Sequence, residues 1–126
     1  MRKVLICLSS LSILLLAACT NSNLLPNKPI KEIVLTNTEN GATYYITNEK
    51  DIEVFKNAFT EVKKIDGVID IQQQDYEVTF TFKNNDHKPL YMWLSSTAGM
   101  VMDPKKSTIG YDLNEENVKA IHSLWN

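Results

Sequence analysis

From Tyr76 to Lys83 the chain reads YEVTFTFK, with Tyr76, Val78, Phe80 and Phe82 at alternate positions and polar groups between them. A period of two puts one set on a buried face and the other toward solvent, so this segment predicts a half-buried strand. Ile33-Val34-Leu35-Thr36 and Tyr44-Tyr45-Ile46 flank Asn40-Gly41, a pair that favours a two-residue hairpin turn with both φ angles positive. After the polar turn KNNDHK (Lys83 to Lys88), further strands are predicted over Leu90 to Leu94, around Met100 to Met102 and around Ile109 to Tyr111. Helical spacing occurs twice, at Ile52, Phe55, Phe59 and Val62 and at Val118, Ile121, Leu124 and Trp125. Asn48 and Asn114 stand where each helix needs its N-cap, and Glu49 and Asp51 follow in a first turn that favours acids. The order β-β-α-β-β-β-β-α predicts an α+β domain over residues 31–126, an antiparallel sheet with both helices packed on one face.

The N-terminus carries a different pattern. A basic start, MRK, precedes fifteen mostly apolar residues that end in small ones. That is the grammar of a secretory signal, and the run falls short of the roughly twenty residues a membrane-spanning helix needs. Leu16-Ala17-Ala18-Cys19 resembles the bacterial lipobox. The resemblance implies that the Cys19 thiol takes a diacylglycerol through a thioether and that the chain is cut between Ala18 and Cys19. Cys7 would leave with residues 1–18, so Cys19 would have no disulfide partner. The expected organisation is a signal peptide over 1–18, a lipidated cysteine and tether over 19–30, and the domain beyond. The tether sequence TNSNLLPNKPI is polar and proline-punctuated, with a flexible reach of roughly 15–20 Å. Membrane lipid, reached through Cys19, is therefore the first expected partner, at the extracytoplasmic side of the cell membrane.

Charge narrows the remaining partners. The formal net charge is −2, and it becomes −4 once Arg2 and Lys3 leave with the signal. Arg2 is the only arginine, so the mature domain lacks the planar donor that phosphate recognition usually recruits. With the acidic balance, this excludes nucleic acid as an expected partner.

The C-terminal half carries a family resemblance. YMWLSSTAGMVMD, followed by STIGYDLNEENVKAIHSL, resembles the small YhfM-like domains of Bacillus-type lipoproteins and membrane-anchored proteins. In that pattern an aromatic-Leu strand leads to a Thr-x-Tyr-x-Leu strand and a closing helix. Trp93, Leu94, Thr108, Tyr111, Leu113 and Ile121 are the matching positions, with Ile109 and Gly110 adding one residue before the tyrosine. The resemblance implies the fold and an envelope location and brings no biochemical activity with it.

No stretch spells out a reaction. His87 and His122 fall on different elements, outside any cluster with metal-ligand spacing, and Asp66, Asp70 and Asp75 lack the spacing of a calcium loop. G-x-S-x-G, S-x-x-K and H-E-x-x-H are all missing, as is a phosphate-cradling glycine loop. No catalytic residue, metal ligand or cofactor is therefore assigned, and the protein is read as a non-enzyme. The remaining candidate is a surface. If Leu90, Met92 and Leu94 face the helices, Tyr91 and Trp93 point to the opposite, open face of the sheet. Tyr45, Thr79 and Thr81 would share that face. Aromatics among threonines suit recognition, because they offer large contact area at little entropic cost. They also suit plain cross-strand stabilisation of an exposed sheet, and the inverted register would put Trp93 in the core. The expected function is binding or interaction, with an envelope protein as the leading partner and a small molecule or wall glycan as the alternative.

Overall fold

A computed structural model describes residues 24–67 and 72–125. Ala18, Cys19, the apolar N-terminal run and Asp70 lie outside the described residues. The chain forms β1 (Ile30–Asn37), β2 (Thr43–Ile46), α1 (Glu49–Thr60), β3 (Lys63–Lys64), β4 (Tyr76–Phe82), β5 (His87–Leu94), β6 (Gly99–Met102), β7 (Tyr111–Leu113) and α2 (Glu115–His122). The strands make one antiparallel sheet in the order β2-β1-β4-β5-β6-β7-β3, and the fold is α+β as expected. α1 and α2 bury Ile52, Phe55, Phe59, Val118 and Ile121 in one core with Ile33, Leu35, Val78, Phe80, Phe82, Leu90, Met92 and Val101 of the sheet. The register question closes here. Leu90 and Met92 are fully buried toward the helices, so alternation turns Tyr91 and Trp93 to the other face.

Four local features differ from expectation, each for a physical reason. The first hairpin is not closed by a two-residue turn. The Asn37 side chain accepts from the backbone N–H of Glu39 (2.9 Å) and Asn40 (3.2 Å), curling residues 38–41 into a longer loop. Only Gly41 takes a positive φ there, 75°. Second, β3 adds a two-residue strand of exposed lysines, paired on β7, that has no hydrophobic signature in the sequence. Third, β7 begins at Tyr111 instead of Ile109, because the 3-10 segment Pro104–Lys106 runs on into a turn at residues 107–108; the Gly110 carbonyl still accepts from the N–H of Ile65 (2.9 Å). Fourth, Leu24 and Leu25, which the sequence reading assigns to the tether, are 2% and 9% exposed and belong to the core.

Both helix starts match the sequence grammar. Asn48 Oδ1 accepts from the N–H of Lys50 (2.8 Å) and Asp51 (3.4 Å), and Asn114 Oδ1 accepts from that of Asn117 (2.8 Å). Each bond satisfies helix N–H groups that lack a partner in the first turn. Replacing Asn48 by alanine is expected to lower stability by about 1 kcal/mol, with Asn48→Asp close to wild type, as read from urea unfolding midpoints. Equal loss in both variants would show that the cap bond contributes nothing.

Gly99 lets β6 and β7 approach closely: a Cβ built there would lie 2.6 Å from Leu113 Cδ1, so a larger residue would require the Leu113 side chain to turn aside.

Candidate functional site: an open face and an aromatic corner

Every residue predicted for the open face is on it. Register puts Tyr45 beside Val34, Val34 beside Thr79, and Thr79 beside Pro89, a row crossing four strands. The next row runs Thr36, Glu77, Tyr91 and Met102, and Trp93 lies beside Met100. Thr81 pairs with His87, and the Thr81 hydroxyl meets His87 Nδ1 at 3.2 Å. The face does not gather its aromatics, however. Tyr91 and Trp93 touch edge to face at 6.4 Å between centroids, whereas Tyr45 stands three strands away, about 14 Å at ordinary strand spacing.

Trp93 is half-buried and already engaged. Its indole N–H donates to the Gln72 carbonyl (2.9 Å), and three residues after Gln72 the Asp75 carboxylate accepts from the N–H of Leu94 (2.8 Å). Together these bonds tie the chain entering β4 onto β5. The depression beside Trp93, about 280 Å³ and lined also by Asp75, Ser95, Met100 and Asp112, is shallow and wide open. Met102, on the same face, is buried at 2% exposure. Beside it the Asp103 carboxylate pairs with Lys88 Nζ at 2.5 Å. Burial pushes the Asp103 pKa up, but the bond from Lys88, the Lys105 N–H and the Lys106 charge outweigh it and hold the carboxyl below its usual range.

A second aromatic group lies on the helix side of the sheet, where the sequence reading did not place one. Tyr44, Tyr76, Trp125 and Leu35 line a cavity of about 340 Å³. Tyr44 sits opposite Leu35 in the β1–β2 ladder, and the Tyr76 and Trp125 rings lie 6.0 Å apart. Tyr44 is 53% and Trp125 41% exposed, and Tyr45, on the reverse side of the same short strand, is 67% exposed. These are the large apolar side chains most exposed among the described residues. The corner exists because α2 stops at His122. A 3-10 turn over Ser123–Trp125 then swings the indole over Tyr76 instead of continuing the buried helical stripe. His122 fixes this ending: its Nε2 lies 2.7 Å from the Ser95 carbonyl, which can only accept, and its ring packs edge-on to Trp125. Burial raises the Tyr76 pKa above 10, aided by the Asp75 charge and Tyr44 and opposed by a hydrogen bond with Asn37. The phenol therefore stays neutral under physiological conditions. The usable sequence signal was the Tyr44-Tyr45 doublet on so short a strand. Tyr76 and Trp125 were hidden among positions that fit the buried stripes.

Among the described residues the cavity has no ionised lining group, and the chemistry they offer is ring faces and phenol edges. Its volume is at the low end for ligand pockets and fits a single ring-sized group. Among the described residues no three His, Cys, Asp or Glu side chains come close enough to hold a metal ion, and no helix is long and apolar enough to cross a membrane.

Fold and corner together define a small two-layer α+β domain with an edge cavity of aromatic rings. The chain belongs to the YhfM family, whose pattern matches residues 26–126. That start falls within the packed segment after Leu25, ahead of β1. No curated protein matches the chain. Among solved structures it is similar to a thioesterase-like protein from Clostridium sporogenes ATCC 15579, with a TM-score of 0.57 and 16% sequence identity. That likeness covers 76% of this chain and 94% of the other. At such identity it shows a shared fold, and the thioesterase-like description stays with that protein.

Proposed function

We propose that this YhfM-family protein is a lipid-anchored, non-enzymatic binding module on the outer face of a bacterial plasma membrane, and that it takes a neutral ring, such as a wall sugar residue, in the aromatic corner. The observation that carries the site is the clustering of Tyr44, Tyr76 and Trp125 around one cavity of about 340 Å³. Sugar rings stack their C–H faces on aromatic rings and direct hydroxyls to the edge, which the tyrosine hydroxyls and the Trp125 indole N–H can meet. The anchoring half rests on the signal-like N-terminus and its lipobox. Calorimetric titration with a soluble N-acetylglucosamine tetramer tests the ligand class. Trp125→Ala is expected to weaken binding about tenfold, the worth of one stacking contact, while Tyr91→Ala on the open face binds like wild type. Heat of binding that is equal in all three proteins would remove the corner from consideration.

A second reading keeps the envelope protein as partner. Among the described residues β2 ends the sheet order and no strand pairs with its outer edge, and Tyr44 and Tyr45 stand on its two sides. A strand added along β2 would meet both rings. Recovery of one envelope protein by a photo-crosslinker at position 45, and not at position 91, would favour this reading over the sugar.

A further inference from the structure

The charges of this domain are unevenly placed, and the chain enters it at the more basic end. Pro29 accepts from the Lys83 N–H (2.9 Å), so residues 26–30 run beside the β4–β5 hairpin. The segment from Asp103 to Ser107 is held to the start of β5 by the Lys88–Asp103 pair. Lys31, Lys83, Lys105 and Lys106 are all exposed here and make no ion pair among the described residues. Of the acids here, Asp86 is matched by Lys28 at 2.8 Å and Asp103 by Lys88. Glu32 beside Lys31 and Asp66 beyond the Ile65–Gly110 bond offset two of the four charges, and exposed Lys64 restores one. The first turn of α1, at the neighbouring corner, adds Lys50 between Glu49 and Asp51 and changes the balance by one negative charge. The opposite end is acidic, with Glu39, Glu61, Asp75, Glu115 and Glu116 around the hairpin tip, α2 and the approach to the aromatic corner.

The tether is short as well. Leu24 is buried in the core, so only residues 20–23 separate it from Cys19. Four residues span at most roughly 14 Å of chain. A chain anchored at Cys19 would thus hold the entry point of the domain within one to two Debye lengths of the headgroups, each about 10 Å at 0.1 M salt.

We infer that this end docks on the anionic headgroups of the bilayer that holds the lipid anchor, with Lys31, Lys83, Lys105 and Lys106 as the contacts, and so turns the aromatic corner away from the membrane. The inference rests on the anchoring reading given above. The domain's net negative charge opposes it little, because the near end keeps a small positive balance while Glu39, Glu61, Asp75, Glu115 and Glu116 lie at the far end and are screened over the domain's length. Each lysine near an anionic surface contributes about a fivefold preference, so four together suffice to orient a domain that the anchor already holds in place.

The test uses the acylated mature chain in vesicles bearing headgroup-linked energy acceptors. A single donor is placed at Ser107→Cys on the basic end or at Ser96→Cys in the β5–β6 loop at the other. In phosphatidylglycerol vesicles, transfer is expected to be at least about twofold greater from position 107 than from 96. That ratio should fall in phosphatidylcholine vesicles, in the Lys31→Gln/Lys83→Gln/Lys105→Gln/Lys106→Gln variant, and in 1 M salt, where screening acts within about 3 Å. A ratio indifferent to lipid charge, lysines and salt overturns the docking, leaving the tether alone to set the orientation. Acylated chain that fails to float with either vesicle overturns the anchoring reading and this inference with it.

Discussion

Serine in place of Cys19 is expected to leave the chain uncut and free of fatty acid, where the anchoring proposal requires wild type to lose residues 1–18 and carry a diacylglycerol. The reason is nucleophilicity. A thiolate attacks the diacylglyceryl carbon of a phospholipid donor, forming the C–S thioether bond as the C–O bond to the headgroup phosphate breaks, and a serine hydroxyl at neutral pH is too weakly acidic to replace it. The consequence for location is large, because two acyl chains hold a protein to a bilayer stably where one does so only marginally. Labelled fatty-acid incorporation and intact mass of the two proteins check this together. A serine variant that is cut and secreted like wild type would show an ordinary secretory signal. It would remove the membrane from the proposed function while leaving the domain and its corner untouched.

Alanine in place of Phe59 is expected to cost 3–5 kcal/mol, the range found for deleting a fully buried aromatic ring. Phe59 has no exposed surface, and its ring meets Phe80 at 5.1 Å edge to face and Phe55 at 6.2 Å. It is the point at which α1 is fastened to the middle of the sheet. A domain of this size commonly has about 5–15 kcal/mol in total, so the variant gives up between about a fifth and nearly all of its stability. A thermal melt should fall by at least about 12 °C. Tyr45→Ala, at a side chain two-thirds exposed, is expected to change the melt little. If Phe59→Ala lost less than about 1 kcal/mol, α1 would not be packed over Phe80 as described.

Much of the fold was legible because its strongest signals are local. The alternation from Tyr76 to Phe82 needs nothing beyond the pleat to assign Val78, Phe80 and Phe82 to one face, and all three are buried. Asn48 and Asn114 read as caps because a short side chain before a helical stripe can reach helix N–H groups from nowhere else. The grouping of Tyr45, Thr79, Thr81, Tyr91 and Trp93 on one face was also legible, since period two carries across a register once the core side is known. How that face is used was not. The bond from Trp93 to Gln72 joins residues 21 apart, and no periodicity speaks to such a contact. The aromatic corner was hidden for the same reason. Tyr44, Tyr76 and Trp125 come from the first hairpin, the middle strand and the chain's end, and they meet only because β1 lies between β2 and β4.

The sequence alone therefore determined the element types, the two helix caps, the buried faces and the family resemblance, all of which rest on interactions within a few residues of chain. Tertiary structure decided what depends on distant segments meeting. It took Leu24 and Leu25 out of the linker and into the core, and it gave the exposed Lys63-Lys64 pair a strand partner in β7. It also stopped α2 where His122 meets the Ser95 carbonyl, leaving Trp125 to close a cavity instead of filling the core. Each of these follows from packing and backbone pairing between segments far apart in sequence, where local pattern carries no information.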